Sequence, residues 1–119
     1  MPDQNVDVTY DPSTTPPTWT FSPPSVTMTA SGKVILHQAG SNATSWTFTG
    51  GNVKSDPLSQ FSSTVQGNGT LLHINDAFKN QKGTPPATYP YYVIISANGV
   101  SVTSPDPDIV NDPGSVGVP

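Results

Sequence analysis

The sequence predicts an all-β sandwich of seven to nine short strands, and three observations carry that expectation. The first is composition: the 119 residues include no Glu, no Arg and four Leu, while Thr, Ser, Val, Pro and Gly dominate. The missing residues are strong helix formers, whereas Val and Thr suit strands. The second is punctuation. Fourteen Pro and ten Gly in so short a chain imply the many turns that short strands need. The third is segment 91–103, YYVIISANGVSVT, which reads as a complete β-hairpin. Asn98-Gly99 accepts the positive φ that both central positions of a type I′ turn require. That turn sets Ala97 opposite Val100, Ser96 opposite Ser101, Ile95 opposite Val102 and Ile94 opposite Thr103. Val93, Ile95, Ala97, Val100 and Val102 then share one face, so turn chemistry and hydrophobic pattern agree.

The other elements follow in order. Val6, Val8 and Tyr10 alternate with polar residues as a first strand, which Asp11-Pro12 stops; 13–17 is a Thr- and Pro-rich loop. Thr18-Trp19-Thr20-Phe21 alternates again and stops at Pro23-Pro24, because proline supplies no ladder N–H. Val26 and Met28 alternate with Thr before a Ser31-Gly32 turn. Lys33-Val34-Ile35-Leu36-His37 is apolar enough for a central strand, and Ser45-Trp46-Thr47-Phe48-Thr49 ends at Gly50-Gly51. A second hairpin spans Phe61 to Asn75 around Asn68-Gly69, with Val65 facing Leu72, Ser63 facing Ile74, and Phe61, Val65, Leu72 and Ile74 on one face. Asp76 caps one helical turn over 76–79, and 83–90 is a connection. Pro105-Asp106-Pro107-Asp108 ends strand pairing. The whole chain, 1–119, is one domain, with an ordered core over about 5–112 and a flexible tail from 113 to 119.

Charge and composition exclude several functions. A formal net charge of −4, from eight Asp against four Lys, disfavours a nucleic-acid backbone as partner. Zero Cys removes thiol catalysis, disulfides, thiolate zinc sites and iron–sulfur clusters. No apolar run reaches the ~18 residues of a membrane-spanning helix, so membrane insertion is not expected. Met1-Pro2-Asp3-Gln4 lacks a basic n-region and an apolar h-region; if Met1 is native, the default location is the cytoplasm.

Few residues invite chemistry. Asp106, Asp108 and Asp112 are the best calcium candidates, since calcium takes several carboxylate and carbonyl oxygens. Their spacing matches no EF-hand loop, and the reading preferred here is that they solvate a sheet edge. His37 and His73 each lie on the opposite strand face from apolar neighbours and would form a two-His site only if their strands adjoin. No third ligand is evident, so both read as surface residues. Neither Gly-x-Ser-x-Gly nor Ser-x-x-Lys occurs, and paired Glu acids are absent, so no catalytic residues are assigned. Trp19, Trp46, Tyr89, Tyr91 and Tyr92 could form a carbohydrate-stacking platform, but mid-strand tryptophans between threonines read better as core. Tyr91 or Tyr92 is a candidate tyrosine corner.

Ile74-Asn75-Asp76, the Tyr-rich strand, the Asn-Gly hairpin and Asp106-Pro107-Asp108-Ile109-Val110-Asn111-Asp112-Pro113 resemble the small bacterial proteins of the DP-EP family. The second dipeptide here is Asp112-Pro113 rather than Glu-Pro. The resemblance implies an immunoglobulin-like sandwich and carries over no catalytic residue.

These readings converge on an immunoglobulin-like antiparallel β-sandwich acting as a non-catalytic binding or structural module without a cofactor. Its expected partner is a second copy of itself or another protein. The expected contact is the outer face of the last hairpin, where Tyr92 and Ile94 sit beside Ser96, Ser101 and Thr103. The alternative is a carbohydrate-binding or adhesin-like domain assisted by calcium, and a small hydrolase comes third.

Overall fold

A computed structural model describes residues 3–114. Ten strands occur among them, in two packed five-stranded sheets. β1 (Gln4–Asp11), β2 (Thr18–Ser22), β4 (Gly32–Gln38), β6 (Phe61–Gln66) and β7 (Leu71–Asp76) form one sheet in the order β2-β1-β4-β7-β6. The other runs β3 (Ser25–Met28), β10 (Asp108–Asn111), β8 (Ala87–Ala97) and β5 (Trp46–Val53), with β9 (Val100–Thr103) paired to β8. The expected all-antiparallel arrangement is corrected in two places: β1 runs parallel to β4, and β3 runs parallel to β10. Both sheets are therefore mixed. No helix among the described residues is long and apolar enough to cross a membrane.

Alternation explains the core. Val6, Val8 and Tyr10 of β1, Val34 and Leu36 of β4, and Leu72 and Ile74 of β7 point inward from the first sheet. Val26 and Met28, Ile109, Tyr89 to Ile95 at every second position, and Trp46 and Phe48 meet them from the second. As the apolar run predicted, β4 is the central strand of its sheet.

The two predicted hairpins have the predicted registers. Ile95 faces Val102 and Ile94 faces Thr103, with φ of +51° at Asn98 and +75° at Gly99. Val65 faces Leu72 and Ser63 faces Ile74, and the Gly67 carbonyl accepts from the Thr70 N–H across Asn68-Gly69. Burial is less complete than the patterns imply. Val100 is 60% exposed and Val65 37%, because one sits at a hairpin tip and the other on an edge strand.

Several boundaries differ from the sequence reading. β5 runs on through Gly50-Gly51 to Val53, with a bulge between Phe48 and Gly50. Gly51 is required there: its φ is +145°, and an added Cβ would lie 2.5 Å from the Tyr92 carbonyl oxygen. β8 begins at Ala87, so Pro90 lies inside a strand, its carbonyl accepting from the Lys54 N–H. Residues 76–79 make no helical turn. Phe78 has φ of +56°, and the Asp76 carboxylate instead accepts from the Phe78 N–H at 2.9 Å. Pairing resumes after Pro107 as β10, which holds both β3 and β8. Of the expected tail, Pro113 is buried and Gly114 is exposed; 115–119 lie outside the described residues.

Candidate functional site

The outer face of β8 and β9 gathers the residues expected to make a contact. Tyr92, Ile94 and Ser96 are partly exposed, and Ser101 and Thr103 are exposed. Ladder pairing sets Ile94 between Thr103 of β9 and Gly50 of β5, and Tyr92 beside Asn52. Nothing lies within 4 Å of where a Gly50 Cβ would be, so open space flanks Ile94. The Thr49 hydroxyl donates to the Ile94 carbonyl at 3.2 Å and steadies the bulge beside it.

The aspartates take separate tasks. Asp106 accepts from the Lys54 ammonium at 2.9 Å, Asp108 begins β10, and Asp112 accepts from the Gly114 N–H at 3.0 Å. Among the described residues, no three His, Cys, Asp or Glu side chains form a group that could hold a metal ion. The strands of the two histidines do adjoin, with His73 opposite Ile35 and His37 opposite Leu71. His37 Nε2 pairs with Asn5 Oδ1 at 3.0 Å.

The five-aromatic platform is dispersed by burial. Trp46, Tyr89 and Tyr91 belong to the core, whereas Trp19 stays partly exposed. Trp19 packs on Tyr10 and stacks on Phe21, and with Pro24, Pro105, Asp106 and Pro107 it lines a groove of about 200 Å³. Burial pushes the Tyr91 hydroxyl well above the usual tyrosine range, and the Asp108 carboxylate adds to the shift. The tyrosine whose hydroxyl is tied by hydrogen bonds is Tyr89, which accepts from Gln60 at 3.1 Å and Asn80 at 2.9 Å.

That hydroxyl belongs to a buried polar network between the sheets, which the sequence reading missed. Asp76 follows Leu72 and Ile74 on the inward face of β7, and Asn111 follows Ile109 on that of β10. They are 2% and 0% exposed, and Gln60 beside them is 4% exposed. The Asn111 amide donates toward Asn80 Oδ1 at 2.9 Å, Asp76 Oδ1 at 3.2 Å and Gln60 Oε1 at 3.3 Å. Gln60 Oε1 also accepts from the Lys79 N–H at 2.8 Å. Asp76 Oδ2 and Asn111 Oδ1 are buried without a hydrogen-bond partner. Burial raises the Asp76 carboxyl above its ordinary range; the Phe78 N–H and Asn111 amide oppose this, and the like charge of Asp56 adds to it. A signal existed in the sequence. In Ile74-Asn75-Asp76 and Ile109-Val110-Asn111 a polar residue occupies the next inward position of an apolar alternation.

The network fixes one wall of a cleft. Leu58, Lys79, Asn80, Gln81, Thr84, Pro85 and Ala87 enclose about 330 Å³. Asn80 is held at both ends of its amide, by Asn111 and by Tyr89, and Lys79 through its backbone. On the far side, the Thr84 N–H and hydroxyl both donate to the Gln81 carbonyl, and the Gly83 N–H donates to the Gly114 carbonyl. A second cleft, of about 500 Å³, lies between the β1–β2 turn and the loop at Gly40 to Asn42. Its lining is mostly hydroxyl-bearing.

No curated protein matches the sequence. The sequence pattern of the DP-EP family matches residues 2–113, so it covers all ten strands and both halves of the buried network. The resemblance drawn from Asp76 and the segment Asp106 to Pro113 thus extends over nearly the whole chain: the protein belongs to the DP-EP family.

Proposed function

We propose that this protein is a non-catalytic binding module of immunoglobulin-like type that acts through protein–protein contact, with a second copy of itself as the partner. The outer face of β8 and β9 makes the contact, centred on Ile94 and Tyr92 and edged by Ser96, Ser101 and Thr103. The observation that carries this reading is the pairing of Ile94 with Gly50. An outward-pointing aliphatic side chain beside a residue with no side chain leaves room for a facing group to pack against it. Small hydroxyl residues around it allow a second sheet to approach closely, and two-fold symmetry supplies the same surface from the partner. Light scattering on the wild-type protein and on Ile94→Asp tests it. The wild type should exceed monomer mass at micromolar concentration, and Ile94→Asp should shift it to monomer, since the contact would bury an unpaired charge. A wild-type monomer throughout that range rejects the reading.

A second reading, carbohydrate binding, is favoured by one feature. Trp19 offers a partly exposed indole in a groove that also holds the Asp106 carboxylate, a stacking surface beside a hydrogen-bond acceptor. Saturable heat of binding to an oligosaccharide in calorimetric titration, lost in Trp19→Ala, would support it.

A further inference from the structure

We propose that the cleft between the 56–60 loop and the 77–86 loop binds the carboxyl-terminal residue of a peptide, with an aliphatic side chain in the cleft and the terminal carboxylate beside Lys79. This site is separate from the β8–β9 face and does not depend on it.

Three observations carry the proposal. The first is charge. The chain has a net charge of −4 and four lysines, yet segment 77–86 (AFKNQKGTPP) holds two of those lysines and no carboxylate. Lys79 lines the cleft, and among the described residues the ion pair of this chain joins Lys54 to Asp106 and involves neither of the two. The neighbouring Asp56 carboxylate is turned to the backbone, accepting from the Gln60 and Phe61 N–H groups at 2.9 Å each. An anion entering the cleft therefore meets the Lys79 side chain, with the Asp56 carboxylate engaged by backbone N–H groups and the Asp76 carboxylate of the same network buried.

The second is the lining. Leu58, Pro85 and Ala87 give an apolar surface, and Leu58 is 41% exposed, unusual for a leucine in this chain. Gln81 adds an amide and Thr84 a hydroxyl oxygen. An apolar wall with Gln81, Thr84 and Lys79 beside it matches the side chain, peptide group and carboxylate of a terminal residue. The volume of about 330 Å³ suits one or two residues rather than a longer segment.

The third is rigidity. Segment 77–86 contains no strand or helix, yet the buried network holds Lys79 and Asn80 in place, and the Gln81–Thr84 turn is closed by hydrogen bonds. A wall fixed before binding lowers the ordering cost of taking up a ligand.

The test is an NMR titration of the full chain, following backbone amides, with N-acetyl-leucine as the minimal terminal residue. N-acetyl-leucine amide, acetate and hexanoate are run beside it. N-acetyl-leucine should give saturable shifts confined to Leu58 and the 79–87 segment by about 10 mM, as an affinity near ~1 mM requires. Lys79→Gln should weaken binding about three- to five-fold, the range of one exposed ion pair. Leu58→Ser should weaken it further, and Lys33→Gln, on β4, should leave it unchanged. Unaltered shifts away from the substituted residue and the 79–87 segment will show that each variant is folded. Absence of saturable shifts overturns the proposal, as does equal binding of the uncharged amide. Equal binding of acetate would show simple ion pairing and overturn it, and tighter binding of hexanoate would assign the cleft to a free aliphatic acid instead.

Discussion

Replacing Asp76 by Asn should stabilise this protein at neutral pH, although it removes a buried, hydrogen-bonded side chain. Asp76 Oδ1 accepts from the Phe78 N–H and the Asn111 amide, while Oδ2 has no partner and neither does Asn111 Oδ1. Each buried polar atom left unsatisfied costs about 1–3 kcal/mol. An Asn side chain keeps the acceptor at Oδ1 and puts an N–H donor in place of Oδ2, in the same network as the orphaned Asn111 oxygen. It also removes a charge that no cation in the network balances. Allowing for desolvation of the new amide, the expected gain is about 1 kcal/mol at pH 7.5. The pH dependence gives a second reading of the same residue. A carboxyl whose folded pKa is raised holds its proton in the folded state after the unfolded chain has lost it. Stability attributable to Asp76 is therefore fully present below its unfolded value of 3.8 and is lost as pH rises through the folded value. The Asp76→Asn variant should lack that loss. Asp11 moves the other way, lowered by the Ser13 hydroxyl and N–H, so its effect falls below pH 3.8 and does not overlap. Urea unfolding followed by the fluorescence of buried Trp46, at pH 4.5 and 7.5, measures both quantities. If Asp76→Asn is destabilised by more than about 1 kcal/mol at pH 7.5, the carboxylate is compensated in a way the network does not contain, and the reasoning fails.

Two further substitutions separate backbone strain from steric clash. Gly99→Val should cost about 1 kcal/mol or more through φ alone, since nothing lies within 4 Å of its Cβ position. Gly51→Ala should cost more, about 2 kcal/mol or above, because its Cβ would meet the Tyr92 carbonyl and the Val93 backbone as well. Denaturant midpoints rank the pair, and the reverse order would contradict the close approach of β5 to β8.

Much of this fold was legible where two local signals coincided. In the β8–β9 hairpin the Asn98-Gly99 turn and the alternation from Val93 to Val102 demanded the same register, and Asn68-Gly69 did the same for β6 and β7. Proline and glycine misled where they were read only as breakers. Pro105 and Pro107 hid β10, a four-residue strand that starts one residue later and is held by partners on both sides. Pro90 and Gly50-Gly51 lie within strands because their neighbours tolerate a missing N–H or a bulge. The parallel pairings were not legible, since β1 with β4 and β3 with β10 join segments far apart in sequence. The buried network was half legible: Asp76 and Asn111 continue inward alternations, but Gln60, Asn80 and Tyr89 reach them only through tertiary packing.

The most direct measurement is sedimentation equilibrium of the unmodified protein across about 1–100 µM, a range in which a contact of micromolar affinity titrates. Self-association through the Ile94 face predicts an average mass that rises above the 12.5 kDa of one chain as concentration increases. A single species of 12.5 kDa at every concentration would contradict it.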